Sequence, residues 1–329
     1  MTNETAIGLV LGSAIGPEHL PSVAATAEDS GFDELWLAED FFFTGGVSGA
    51  GVVLGATERV RVGMGVVSAV ARHPALLAME ISTLARVFPG RLTAGIGLGV
   101  PDWVRQMGLF PESSLSALRE CVTSVKRLLE GEEVSGDGRT FTFDKVKLTY
   151  PRLEPIPIHM GAIGPKMLRL SGEIADGSVL SVAASHGYLR WARRHIDEGR
   201  AAADRSDDHR ITLFAIYSVH RDPAVARQSV RGPLAFYKAA GGPNALTDVY
   251  GISDELERLV QRGGYEAVRQ EIPDQWLEDL TIAGTPGECA AKIKAFYEAG
   301  ADSVALFPMP PEDVDRIVRL TAHQVLPRL

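Results

Sequence analysis

The sequence predicts a (β/α)8 barrel, and three observations carry that expectation. Eight short apolar runs are spaced along the 329 residues, helix-period segments separate them, and the length suits one large α/β barrel. The runs are "AIGLVLG" (6–12), "ELWLAE" (34–39), "VRVGMGVV" (60–67), "LTAGIGLG" (92–99), "IPIHMG" (156–161), "GSVLSV" (177–182), "ITLFAIYSV" (211–219) and "DSVALFP" (302–308). Between them, Leu77, Ile81, Leu84 and Phe88 recur at i, i+4, i+7 and i+11, and Leu115, Leu118, Val122, Val125 and Leu129 at i, i+3, i+7, i+10 and i+14, so each of these helices gains one apolar face. A doubly wound open sheet would typically use fewer strands. Two segments exceed a minimal barrel: a β-hairpin excursion near 131–151 and a helical insertion near 223–280. With both included, 1–329 is expected to form a single barrel domain without internal repeats.

Composition narrows the partners. A net charge of −9 argues against nucleic acid and anionic membranes and leaves small molecules as the expected clients. Cys121 and Cys289 are the only cysteines and lie far apart, which suggests neither a disulfide framework nor a metal cluster. The start "MTNETAIGLVLG" has no basic leader, and no run reaches the roughly 18 apolar residues of a membrane span. A cytoplasmic enzyme, with a homo-oligomer open to it, is the expectation.

A barrel of this kind carries its active site at the C-terminal ends of the strands. There the sequence reads Glu39-Asp40-Phe41, then Val66-Val67-Ser68 followed by Arg72-His73-Pro74, then Gly97-Leu98-Gly99, and then Gly161-Ala162-Ile163-Gly164-Pro165-Lys166. In "GAIGPKMLRLSG" a strand runs through glycines into a helix start, so free backbone N–H groups, the helix dipole and the Lys166 cation form a candidate phosphate seat. The plain alternative is an ordinary βα turn that uses Gly161 and Gly164 for geometry alone.

Several of these motifs together resemble a known family. "ERVRVGMGVVSAVARHPALLAMEISTLARVFPGRLTAGIGLG" (58–99), "GRTFTFDKVKL" (138–148), "PIPIHMGAIGPKMLRLSGEIADG" (155–177) and "AGTPGECAAKIKAFYEAGADSVALF" (283–307) are similar, in order and spacing, to the bacterial luciferase-like superfamily. The resemblance spans nearly the whole chain and is weakest over 223–280.

It implies a barrel that binds coenzyme F420, with FMN as the alternative, and it implies site residues one by one. Gly65-Val66 matches a non-prolyl cis peptide, in a bulge that backs the cofactor ring. Gly97 and Gly99 match a side-chain-free wall for the polyol tail, and Gly161 to Gly164 with Lys166 match the phosphate turn. Lys166 and Arg169 would flank a longer tail. Glu39 matches an acidic residue at the end of strand two and is expected among the cofactor-binding residues, and Asp40 stands where some members carry histidine. There Asp40 is the candidate proton-transfer group, its pKa raised by burial beside Phe41, Phe42 and Phe43; bracing of the loop is the plainer role for Glu39 or Asp40. Val100 replaces the acid found after strand four in members that oxidise sugar phosphates, which argues against that substrate. Trp103, Met107 and Phe110 with Phe41 to Phe43 would line an apolar substrate pocket unless they are core. His159 reads as a core histidine and His186 as a rim residue.

The implied activity is F420-dependent hydride transfer to or from a small organic substrate. An FMN-dependent monooxygenase using reduced flavin and oxygen is the alternative, and a non-catalytic ligand-binding barrel a further one.

Overall fold

The computed structural model describes residues 5–329. Its strands are β1 (Ala6–Leu11), β2 (Glu34–Leu37), β3 (Arg61–Ser68), β4 (Leu92–Gly97), β5 (Val134–Asp137), β6 (Thr142–Val146), β7 (Ile158–Gly161), β8 (Gly177–Leu180), β9 (Arg210–Val219), β10 (Ile282–Gly284) and β11 (Ser303–Pro308). A closed parallel ring runs β1-β2-β3-β4-β7-β8-β9-β11 and back to β1. The eight apolar runs therefore become the eight strands of a (β/α)8 barrel.

Sequence reasoning did not anticipate β10. It is three residues long, too short for a periodic signal. Its place is set by β9, which pairs with β8 only as far as Leu213↔Leu180 and with β10 at Tyr217 to Val219. β10 thus satisfies backbone groups that the early end of β8 leaves open.

Both excursions contain the expected kinds of element. β5 and β6 form an antiparallel hairpin, and the insertion holds the helices Pro223–Gly241, Ala245–Tyr250, Ser253–Glu271 and Asp274–Leu280. The Glu120 carboxylate secures the hairpin tip by accepting hydrogen bonds from the amides of Arg139, Thr140 and Phe141. His73 ties the hairpin to the barrel. Its Nδ1 accepts from the Ala75 amide at 3.2 Å, capping the helix Pro74–Val87. Nε2 must then carry the proton, which it donates to the Thr142 carbonyl at 3.2 Å. The ring also packs edge-on against Phe141 and Phe143. His73 and Pro74 are therefore a helix entry, and His73 is a clip for the hairpin.

The lumen is filled by large side chains from a few strands and by glycines on the others. Trp36 of β2 is buried against Phe214 of β9, with ring centroids 5.7 Å apart. A Cβ on Gly63 would lie 2.3 Å from the Trp36 ring, and one on Gly65 would lie 2.5 Å from Phe214 and 3.0 Å from Trp36. His159 fills the adjoining space, where a Cβ on Gly177 would lie 2.5 Å from its Nε2. Burial, aided by the charge of Arg210, pulls the His159 pKa down to about 4 despite the nearby acids, so the ring is a neutral core side chain at pH 7.

Beneath it, the buried Glu34 carboxylate accepts from Trp36 Nε1 at 3.0 Å, Ser303 Oγ at 2.7 Å and Arg61 at 3.1 Å. Burial alone would raise its pKa. The hydrogen bonds and the charges of Arg61 and Arg210 outweigh that and hold it below the usual carboxylate value.

The packing around Trp36 yields a stability prediction. Gly63→Ala forces a methyl group into the indole, and overpacking of this kind costs about 1–3 kcal/mol. Urea denaturation of Gly63→Ala should show that loss, and adding Trp36→Leu should make the same alanine nearly neutral.

Candidate active site

The mouth of the barrel is organised around one carboxylate. Glu39 follows β2, and its side chain is 4% exposed. Oε1 accepts from the Ser68 amide at 3.3 Å and from Arg72 Nη1 at 2.9 Å. Oε2 accepts from the Gly46 amide at 2.7 Å and from Arg72 Nη2 at 2.7 Å. An ionised carboxylate has about four acceptor positions, and all are occupied by protein donors. Glu39 therefore joins the end of β2, the helix Gly46–Gly55 and the end of β3, with no acceptor position left for a ligand. Its hydrogen bonds, against the effect of burial, raise the Arg72 pKa further above its usual value.

Asp40 is half-buried beside this clamp. Ser13 Oγ, from the loop after β1, donates to Asp40 Oδ2 at 2.5 Å. Among the described residues, Oδ1 meets no donor. Tyr237 of the insertion helix Pro223–Gly241 packs 6.3 Å from the Phe307 ring. Its pKa is raised, chiefly by burial and then by the charge of Asp40. The expected phenylalanine pocket around Asp40 is not formed. Phe42 adopts φ of 72°, the Phe43 amide turns back to the Asp40 carbonyl, and Phe42 and Phe43 stand 69% and 63% exposed. The tight turn faces both rings outward and leaves only Phe41 near the wall, against Gly99. Met107, Leu109 and Phe110, beyond β4, are also exposed, so this aromatic cluster is rim and not core.

Next to the acid, β3 carries a bulge. The Gly65–Val66 peptide is cis, as the resemblance implies, and the β3–β4 register shifts between Met64 and Val67. Gly65 and Val66 are the partly exposed residues in the otherwise buried stretch from Val62 to Ser68. The Val66 side chain sits in a socket of glycines: a Cβ would lie 2.5 Å from its Cγ2 at Gly97, 3.1 Å from its Cγ2 at Gly161 and 3.1 Å from its Cγ1 at Gly95. Gly97 thus serves Val66 first. Gly99, at φ of 88°, bends the chain into the next loop.

From Gly161 the chain enters the turn before the helix Pro165–Ile174. Gly164 is its N-cap and supplies no side-chain cap, whereas His73, Ser113, Ser185, Asp222 and Thr285 each cap another helix with a side chain. The Ala162 amide is committed to the Val179 carbonyl. Among the described residues, no acceptor meets the amides of Ile163, Gly164, Lys166 or Met167. Tyr188 braces the turn by donating from its hydroxyl to the Ile163 carbonyl at 2.8 Å. Lys166 is exposed beside it. Arg169 does not line this turn, because it pairs with Glu198 at 2.7 Å. His186 is also turned away. It stacks on Phe296 at 4.1 Å, and burial, with Arg190 nearby, lowers its pKa.

Ser13, Tyr237 and the Arg72 partnership were not legible as site features, since their partners lie 27 or more residues away or in the insertion. Both cysteines are buried and free, and burial pushes each thiol up to about 12. Among the described residues there is no metal-ligand cluster and no helix long and apolar enough to cross a membrane.

A parallel barrel that gathers its open amides, its bulge and its half-buried acid at the C-terminal mouth has the layout of a barrel enzyme. Residues 4–303 match the family described as luciferase-like monooxygenase, and the chain belongs to that family. It is 32% identical to the 5,10-methylenetetrahydromethanopterin reductase of Archaeoglobus fulgidus, over 92% of this chain and 93% of that protein. Identity is 30% to the F420-dependent glucose-6-phosphate dehydrogenase of Nakamurella multipartita, over 95% and 93%. The fold is that of the coenzyme F420-dependent tetrahydromethanopterin reductase of Methanopyrus kandleri, with a TM-score of 0.86 at 24% identity over 98% of this chain and 99% of that one. The chain is accordingly an oxidoreductase of the luciferase-like type.

The Glu39 clamp can be tested by removing its charge. Glu39→Gln keeps the shape but weakens hydrogen bonds to a guanidinium, and the expected loss is roughly 1.5–3 kcal/mol. Thermal unfolding of the variant, compared with wild type, measures it.

Proposed function

We propose that the protein is a coenzyme F420-dependent oxidoreductase acting on a small organic substrate. One observation carries the reading: the Val66 side chain rests on Gly161, so the partly exposed bulge of β3 and the open-amide turn after β7 are directly joined. A ring lying on the bulge and a phosphate on the turn would then have one continuous support.

The residues fit such a group. The amides of Ile163, Gly164, Lys166 and Met167, free of protein acceptors, with the helix dipole and the Lys166 cation, suit a phosphate. Gly65 and Val66 offer a surface to a flat ring, and Gly99 presents no side chain along the wall. When bound, the deazaflavin supplies two-electron hydride chemistry and disfavours activation of oxygen.

The remaining functions fall to this chain's own side chains. Asp40 holds or releases a proton at Oδ1, while Ser13 fixes the carboxylate through Oδ2. Glu39 and Arg72 keep the β2 and β3 ends in register for it. The exposed rim of Phe42, Phe43, Met107, Leu109 and Phe110 suits an apolar part of the substrate. Sugar-phosphate oxidation is not part of this reading, because Val100 offers no acid.

Two experiments test it. Fluorescence titration of apoprotein should give micromolar or tighter binding of coenzyme F420 and weak binding of FMN. The reverse order, with substrate-dependent oxygen consumption, would establish the monooxygenase in its place. Asp40→Asn should bind the cofactor as wild type does yet turn over about 10²–10⁴-fold more slowly, the usual worth of one acid–base group. An unchanged rate would reduce Asp40 to a brace.

A further inference from the structure

The insertion helix Pro223–Gly241 breaks its own pattern once. Ala226, Val230 and Leu234 form a buried stripe at four-residue spacing, and the next position on that stripe is Lys238. Lys238 is 4% exposed and is the only lysine among the buried polar side chains of the described residues. Such a breach of hydrophobic patterning, without a local gain, is expected at sites kept for function.

Its surroundings offer little compensation. Nζ donates to the Ala183 carbonyl at 3.2 Å, in the loop that leaves the mouth end of β8, where Ala183 is held at φ of 62°. An ammonium has three donors, and this is the one hydrogen bond made among the described residues. No carboxylate among the described residues pairs with it. Burial alone draws its pKa down to about 8, so it is still mostly protonated at neutral pH. Leu234 and Ala235, one turn back on the helix, and Val182 and Ala183, at its hydrogen-bond partner, belong to the apolar cluster that continues through Val179 and Phe214. A buried cation without a counter-ion is unfavourable, and an anion arriving at that point relieves the imbalance. Ala183 follows the mouth end of β8, and the adjacent Tyr237 packs against Phe307 near the mouth end of β11, so the ammonium lies on the mouth side of the barrel.

We infer that Lys238 anchors an oxyanion of the substrate, a carboxylate or a phosphate, between the β8 loop and the insertion helix. This deepens the oxidoreductase reading by assigning the substrate class, an organic anion whose charged end lies on the insertion side of the mouth. The apolar rim on the β2 and β4 side would take the opposite end.

The test needs neither cofactor nor turnover, so it can fail without the hydride-transfer reading failing. Cofactor-free wild type, Lys238→Gln and Lys238→Met are titrated with sodium acetate and, separately, inorganic phosphate at constant ionic strength made up with chloride, with melting temperature as the readout. Gln keeps a donor for Ala183 without the charge, and Met removes both. The wild type should show a saturable rise with acetate or phosphate, and the anion responsible identifies which oxyanion the site prefers. In Lys238→Gln the same response should need at least about tenfold more anion, as the loss of one charged hydrogen bond implies. A phosphate response arising at the 161–167 turn would persist unchanged in both variants. Equal responses in all three proteins would overturn the assignment. So would a Lys238→Gln protein that matches wild type while Lys238→Met alone melts early, because the ammonium would then be only a clip for Ala183.

Discussion

Trp36 and Val66 compete with the backbone of neighbouring strands for the same interior space, and glycine resolves both conflicts. The indole fills the lumen only because Gly63 and Gly65 have no Cβ, and Val66 seats only because Gly95, Gly97 and Gly161 have none. With side chains at those positions, β3 would be forced away from β2 and β4. The bulge, the wall and the start of the turn after β7 would all shift together. A single packing requirement therefore fixes the positions of three of the four strand ends that make up the candidate site.

The fourth is fixed by charge. Glu39 draws the end of β2 onto β3 by taking two hydrogen bonds from Arg72 and one each from Ser68 and Gly46. That carboxylate is fully engaged, whereas Asp40 has one oxygen held by Ser13 and one that meets no donor among the described residues. The difference between two adjacent acids follows from which backbone and side-chain donors each one meets.

The barrel was legible because each of its strands is a short apolar run and each separating helix has one apolar face. The glycines were legible as special but not in their reasons. Gly65 and Gly97 read as surfaces for a cofactor, and the structure adds Phe214 and Val66 as their immediate neighbours. Those neighbours come from other strands, and no local pattern announces them. Phe42 and Phe43 read as a lining for Asp40, yet a left-handed residue at position 42 turns them to solvent. Arg169 and His186 read as mouth residues, and pairing with Glu198 and stacking on Phe296 draw them off. In each case the deciding partner lies far away in the chain, or in a backbone angle that the residue type does not dictate.

β9 continues from Leu213, where β8 stops pairing with it, to Val219, a further six residues. At about 3.3 Å per residue that is roughly 20 Å of extra wall. β10 doubles part of that extension and the insertion helix Pro223–Gly241 packs beside it, so the barrel has a high side and a low side. The loops after β2 and β4 instead present exposed rings, those of Phe42, Phe43 and Phe110. The mouth is therefore uneven, with backbone raised at β9 and β10 and bare aromatic rings on the loops after β2 and β4.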